Sequence, residues 1–274
     1  MIVINSLKVI ILIGFLACIS NTFGQLADDF SDGDLTQNPV WTGDTHLFIV
    51  NSDKMLQLSA PTAGAAQLAT AATFTDSVIE WRFRIKMSFA PSANNYARLY
   101  LAASDTNWAS SELQAFYLQF GESLSNDAIE LFYQNGSTTT SILRGHDGFI
   151  ASAFDMQIKV VKKSNHNWSL YTDTQNQAFD LQATGNCPLA GDFQFLGLYC
   201  LYTAGNRERF FFDDFYSGPP RPDYNPQKIA RNDIIISEIM ADPTPTVQLP
   251  SAEYIELYNR LPATVILRGW KLKI

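Results

Sequence analysis

Between Leu26 and about Ser217 the chain alternates apolar and polar positions with a period of two almost everywhere. The longest case is VIEWRFRIKMSF. There Ile79, Trp81, Phe83, Ile85, Met87 and Phe89 fall on one side, and Glu80, Arg82, Arg84, Lys86 and Ser88 on the other. Successive side chains of a strand point to opposite faces, so the pattern predicts a long strand with one face in a core and one in water. Shorter runs of the same kind recur in HLFIV, MLQLSA, YARLYLAAS, LQAFYLQFG, AIELFYQ, FDMQIKVV, WSLYTD, FQFLGLYCL and RFFFDDFY. QNGS at 134–137, SNHN at 164–167 and AGNRE at 204–208 carry the residues of turns and separate neighbouring runs. No stretch beyond the N-terminal segment has a convincing helical period. About a dozen antiparallel strands over this length predict an all-β sandwich of two sheets, most simply a jelly roll.

The alternation stops at SGPPRPDYNPQK, where four prolines stiffen the chain and cannot sit inside a sheet. Residues 218–231 therefore read as a linker, and a second β region begins with DIIISEIM and covers 232–274. At the other end, Lys8 precedes the apolar run VIILIGFLACI, and SNTFGQ follows with small residues. That order of charge, apolar run and small residues predicts a signal peptide over 1–24 with cleavage before Gln25, and hence a secreted or cell-surface protein. The run is short for a membrane span, and Cys18 lies inside it rather than after it, which argues against a lipid anchor. The jelly roll then occupies 25–217.

Composition adds bounds. A chain of 274 residues that is 46% hydrophobic and 17% charged has the composition of a globular protein. Its net charge of −8, or −9 once Lys8 is removed, disfavours nucleic acid and other polyanions as long-range partners. After the leader two cysteines remain, Cys187 and Cys200, and they read equally well as a disulfide or as two buried thiols.

Two sets of residues resemble known families. The first domain opens with DDFSDGDL, WTG and FIVNSDKMLQLSAP and closes with FFFDDFY. This frame resembles the concanavalin A-like (laminin G-like) jelly roll of secreted bacterial proteins. The resemblance implies a curved antiparallel sandwich that often binds glycans and often carries a structural calcium. Near the C-terminus, IIISEIMADPTP, LPSAEYIELYNR and VILRGWKL resemble in that order the start of the lamin-tail domain, an immunoglobulin-like sandwich. Only about 42 residues are covered, less than half of such a domain, so the expectation is a truncated domain at the edge of a longer protein. The ADPTP variant and the TFGQ site look like exported proteins of Bacteroidetes type.

Candidate chemistry is sparse. Asp28, Asp29, Asp32 and Asp34 lie in the first loop, and Asp213 and Asp214 in the last strand of the same domain. If those elements are neighbours, Asp32, Asp34, Asp213 and Asp214 form a candidate Ca2+ site, since calcium takes six to eight oxygen ligands. The competing reading is ordinary turn carboxylates, for which Asp and Gly are the usual residues. For glycan stacking, Trp108 in the polar stretch SDTNWASS and Tyr96 after SANN are the candidate ligand-binding aromatics; Trp168 reads as core. Each of the two has a competing place in the sandwich rim.

Catalysis finds little support. The glycosidases of this sandwich class carry a Glu-x-Asp-x-x-Glu run on one strand, and none is present. Asp127 and Glu130 are three apart, which a strand directs to opposite faces. His46, His146 and His166 stand outside any hydrolase or zinc-peptidase motif. The expectation is a non-catalytic binding or adhesion protein for a polysaccharide or cell-surface glycan. The alternatives are an accessory region of a larger exported hydrolase or nuclease, and a structural spacer.

Overall fold

In its first part the chain lays down β1 (Leu26–Asp28), β2 (Thr42–Gly43), a 3-10 turn at Thr45–Leu47, β3 (Phe48–Val50), β4 (Leu56–Leu58), β5 (Gly64–Ala71), β6 (Ile79–Met87) and β7 (Tyr96–Ala103). There follow β8 (Gln114–Phe120), β9 (Ile129–Asn135), β10 (Thr138–Arg144), β11 (Phe154–Lys162), β12 (Asn167–Asp173), β13 (Asp180–Asn186), β14 (Phe195–Tyr202) and β15 (Phe210–Gly218). Beyond the Pro-rich stretch come β16 (Ile234–Met240) and β17 (Tyr254–Asn259). The computed structural model describes residues 26–124, 126–175, 178–189, 191–223, 231–240 and 254–261. The predicted signal peptide and the ADPTP and VILRGWKL blocks lie outside these residues.

The strands form two antiparallel sheets. One has eight strands in the order β13-β12-β11-β6-β15-β4-β3 with β1 against β15, and the other has seven in the order β10-β9-β8-β7-β14-β5-β2. This is the predicted all-β jelly-roll sandwich. QNGS, SNHN and AGNRE fall at the β9–β10, β11–β12 and β14–β15 connections. Gly136 and His166 take the positive φ that such connections need, at 58° and 63°.

The core lies between the sheets, and β6 supplies its central line. Ile79, Trp81, Phe83, Ile85 and Met87 are all buried there. Trp81 stacks on Trp168 at 5.5 Å, and Phe116 of the facing sheet lies 4.6 Å from Trp168. Phe83 meets Phe120 edge-on in the same way. One position departs from the alternation. Glu80, expected in water, is 3% exposed because the chain leaving β15 folds over it; Arg82 Nε and the Arg221 N–H both donate to its carboxylate. Cys187 and Cys200 are both buried and both free thiols, so the disulfide alternative falls away. Burial pushes the Cys200 thiol well up, which keeps it protonated and inert.

The seven-stranded sheet is also covered on its outer side. The segment 104–113 between β7 and β8 folds back onto it, and Trp108 lies against Tyr100 with ring centroids 4.1 Å apart and planes 9° from parallel. Its indole N–H donates to the Leu198 carbonyl at 3.2 Å. Ala69, Ala103, Leu113, Ala115 and Tyr117 complete this second apolar cluster. Gly197 makes it possible: a Cβ there would lie 2.5 Å from Trp108 Cζ2 and closer still to the Leu68 carbonyl oxygen.

The second region is seen as an antiparallel ribbon of β16 and β17, with Ile235 opposite Tyr258 and Ile239 opposite Ile255. Ile236, Ile239, Leu257 and Tyr258 are exposed among the described residues.

Two predictions follow from this packing. Gly197→Ala forces Trp108 off the sheet and costs about 1–3 kcal/mol; chemical denaturation reads the loss, and Trp fluorescence shifts to the red. An unchanged midpoint and spectrum would mean that Trp108 is not held there. The second concerns Asp28, which burial raises above its ordinary value although Trp41 Nε1–H and the Phe30 N–H donate to it. A carboxyl with a raised folded value holds its proton more tightly when folded, so its contribution falls as pH rises through that interval. Asp28→Asn gives up one of the two hydrogen bonds, about 1 kcal/mol, and lacks that slope. The stability gap between wild type and variant therefore narrows as the pH is raised from about 4 towards neutrality; a gap that widens would contradict it.

Candidate functional site

Residues directly opposite one another in a ladder share a face, so the register shows what the outer side of the seven-stranded sheet presents. One row crosses six strands: Arg144, Glu130, Gln119, Arg98, Tyr199 and Gln67. At about 4.8 Å per strand this row is roughly 24 Å long. The next row on one side is Phe132, Tyr117, Tyr100, Gly197 and Ala69, the floor on which Trp108 lies. On the other side Tyr96 stands opposite Leu201.

The centre of this face is built around Arg98. Its guanidinium sits 4.8 Å from the Tyr117 ring centroid and 5.2 Å from that of Tyr96. Arg98 Nε donates to Gln119 Oε1 at 2.9 Å, and Gln119 Nε2 donates in turn to the Gly121 carbonyl at 3.0 Å. Tyr96 lies 6.0 Å from Tyr199, and Tyr117 stacks on Phe132 at 5.4 Å. Tyr96, Arg98, Gln119, Phe132 and Tyr199 are all half-buried, with part of each side chain in water. Burial raises the Tyr117 and Tyr199 phenols and pushes Tyr100 up to about 12, so these hydroxyls stay protonated at neutral pH. Such a face offers ring surfaces, hydroxyl and amide groups and one cation, arranged along a line.

The edge of the face is electrostatically closed. Arg144 donates to Glu122 Oε1 at 2.5 Å, to Glu130 Oε2 at 2.8 Å and to Asp147 Oδ1 at 2.8 Å. Glu122 and Glu130 are thus both committed to one guanidinium. Asp127 is buried just before β9, outside the strand, and accepts the Glu122 N–H at 2.9 Å, so the strand alternation does not assign it a face.

Of the sequence-predicted aromatics, Tyr96 is on this face with part of its ring in water. Trp108 is on the same face but only 5% exposed. It is a packed wall rather than an open stacking platform, because its ring covers Tyr100 and Gly197. Trp168 is core, as expected. Arg98, Tyr117, Gln119 and Tyr199 went unread in the sequence. Their signal was large apolar and aromatic residues at both parities of YARLYLAAS, LQAFYLQFG and FQFLGLYCL, which marks strands covered on both sides.

The predicted calcium ligands do not assemble. β1 does pair with β15, with Asp28 opposite Phe215, but the carboxylates turn to other partners. Asp34 accepts from the Thr36 N–H and hydroxyl and the Gln37 N–H, and the Thr36 bonds hold it below its ordinary value. Asp32 accepts the Asp34 N–H. Asp213, 1% exposed, stands opposite Arg84 and accepts the Asp214 N–H. Asp214, at φ 55°, accepts from Gln157 Nε2. Among the described residues no three of His, Cys, Asp and Glu converge on a point.

Two other regions were candidates on geometry. The outer face of the eight-stranded sheet carries Arg82, Arg84 and Lys159, each paired with a carboxylate, beside a polar hollow of about 250 Å³. Between the sheets a cavity of about 540 Å³ is lined by Phe74, Trp81, Phe116, Trp168 and Phe193. The first has its charges paired; the second carries the unpartnered indole N–H groups of Trp81 and Trp168, but these rings and Phe116 are buried in the core rather than laid along an open face.

No family model matches the chain, and neither does any curated protein. Solved structures do resemble it in shape. The Emp47p carbohydrate recognition domain aligns at a TM-score of 0.53 with 10% identity, over 70% of this chain and 92% of that one. The exoplasmic/lumenal domain of VIP36, in a form bound to Ca2+ and Man3GlcNAc, aligns at 0.51 with 10% identity, over 74% and 91%. The Emp46p carbohydrate recognition domain, in a potassium-bound form, aligns at 0.50 with 9% identity, over 71% and 94%. At these identities the likeness establishes the fold alone: residues 26–218 form a jelly-roll sandwich.

Proposed function

We propose that this chain is an exported, non-catalytic glycan-binding protein whose jelly roll engages a polysaccharide or cell-surface glycan on the outer face of its seven-stranded sheet. The observation that carries the reading is the line of half-buried rings and polar groups formed by Tyr96, Arg98, Gln119 and Tyr199. Sugars present apolar C–H faces ringed by hydroxyls, and a surface alternating aromatic faces with hydrogen-bonding groups complements both. The carbohydrate-binding character of Emp47p, Emp46p and VIP36 is consistent with this use of the fold. The non-catalytic part rests on Glu122 and Glu130. Both are tied to Arg144 rather than free to act on a bound glycan. Export rests on the signal-peptide pattern of residues 1–24, and β16–β17 read as the first ribbon of a lamin-tail domain.

A glycan array with the chain from Gln25 onwards tests the reading. Binding to at least one polysaccharide is expected, and Tyr199→Ala and Tyr96→Ala each weaken it about tenfold while leaving the melting temperature within a few degrees. Absence of binding to every plant, algal and bacterial glycan would favour a structural spacer instead. The carboxylate geometry makes a second prediction: EDTA leaves the melting temperature of the jelly roll unchanged. A ligand that binds only the native state stabilises it by mass action, so a fall of several degrees would reinstate a structural cation.

A further inference from the structure

We infer that Arg98 is an anion reader, and that the glycan taken by this face is acidic, carrying carboxylate or sulfate groups. The inference rests on the outer face of the seven-stranded sheet being the binding surface. It begins with an asymmetry between the two guanidinium groups of one row. Arg144 is saturated by Glu122, Glu130, Asp147 and the Asn126 carbonyl. Arg98, three strands away in the same row, has no carboxylate partner among the described residues. Its protein contacts include the Gln119 amide, the faces of Tyr96 and Tyr117, and the Tyr100 hydroxyl beside it.

A half-buried cation without a counter-ion is costly unless something else lowers its energy. Here two ring quadrupoles do so, and they also fix the plane of the guanidinium. Gln119 occupies Nε and the Tyr100 hydroxyl lies beside the group, so a ligand reaches the guanidinium through the remaining terminal N–H donors. A planar fork held in orientation recognises a carboxylate or a sulfate ester through two parallel hydrogen bonds, and a lysine cannot reproduce that geometry. Tyr96 and Tyr199, whose ring centroids lie 6.0 Å apart, offer ring surface beside Arg98 that a pyranose covers while its acidic substituent reaches the guanidinium.

The chain's net charge of −8 opposes a polyanion at long range. Recognition is therefore a contact effect. Added salt screens the overall repulsion, and affinity falls less between about 50 and 200 mM salt than it does for a basic, electrostatically steered binder.

The test uses the wild-type protein first, against two kinds of paired probe. Oligomers of galacturonate, glucuronate and mannuronate are compared with the same oligomers reduced at the carboxyl group. Sulfated galactan oligomers are compared with their desulfated forms. By titration calorimetry at least one acidic member binds about tenfold or more tightly than its neutral counterpart. Arg98→Lys and Arg98→Gln bring the ratio of acidic to neutral affinity close to one, whatever they do to affinity as a whole, and a ratio unchanged in both variants overturns the assignment. A preference confined to the uronates identifies a carboxylate, and one confined to the galactans a sulfate. Equal binding of acidic and neutral forms, or tighter binding of the neutral ones, overturns the assignment of Arg98 and leaves the glycan-binding reading in place. Binding of none of the probes, with neutral glycans also unbound on the array, overturns both.

Discussion

The outer face of the seven-stranded sheet depends on Trp108 lying flat against Gly197. That one contact decides whether the sheet has a solvated side or a second packed side. With the indole in place, Tyr100 and Tyr117 become a floor, and Tyr117 in turn supports the guanidinium of Arg98. Without it, a row of large rings would face water, and nothing would fix the segment that connects β7 and β8. The contact joins residues far apart in sequence, Trp108 donating to Leu198 across 90 positions. It forms only after β14 has taken its place beside β7. The surface is thus a product of the completed sheet, and its rigidity comes from the sheet.

Charge is distributed by the same logic on the two outer faces. On the eight-stranded sheet, Arg82, Arg84 and Lys159 are neutralised by Glu80, Asp155 and Asp223. On the seven-stranded sheet Arg144 is neutralised three times over, while Arg98 is held by rings and an amide. A protein that pairs its other partly buried arginines so thoroughly leaves this one without a carboxylate partner among the described residues. That contrast, more than the number of aromatic residues, distinguishes this face from the rest of the molecule.

Much of the fold was legible in the period-two pattern. VIEWRFRIKMSF became β6 with the predicted face inward, and the three turn sequences fell at the three predicted connections. Glu80 broke the pattern because a segment from beyond β15 covers it, a contact over 141 residues that local alternation cannot announce. The same holds for Trp108. Its polar neighbours Ser104, Asp105, Asn107 and Ser110 suggested an exposed loop, whereas they satisfy the turns that bring the indole down. Tyr96 was found because it follows a turn. Arg98 and Tyr199 looked like ordinary wet positions of strands, and only the register shows them to be neighbours. The acidic loop misled for a chemical reason: an Asp beside a turn satisfies itself on the nearest backbone N–H, and Asp32 and Asp34 did so.

The central claim is one of place: ligand lies on the row that runs from Gln119 through Arg98 to Tyr199. The most direct measurement is a 15N–1H correlation spectrum of the jelly roll titrated with an oligosaccharide that the array identifies. The account predicts perturbations concentrated at Tyr96, Arg98, Tyr117, Gln119 and Tyr199, together with the Arg98 side-chain Nε–H. Perturbations confined to the outer face of the eight-stranded sheet, around Arg84, Asp155 and Gln157, would contradict it.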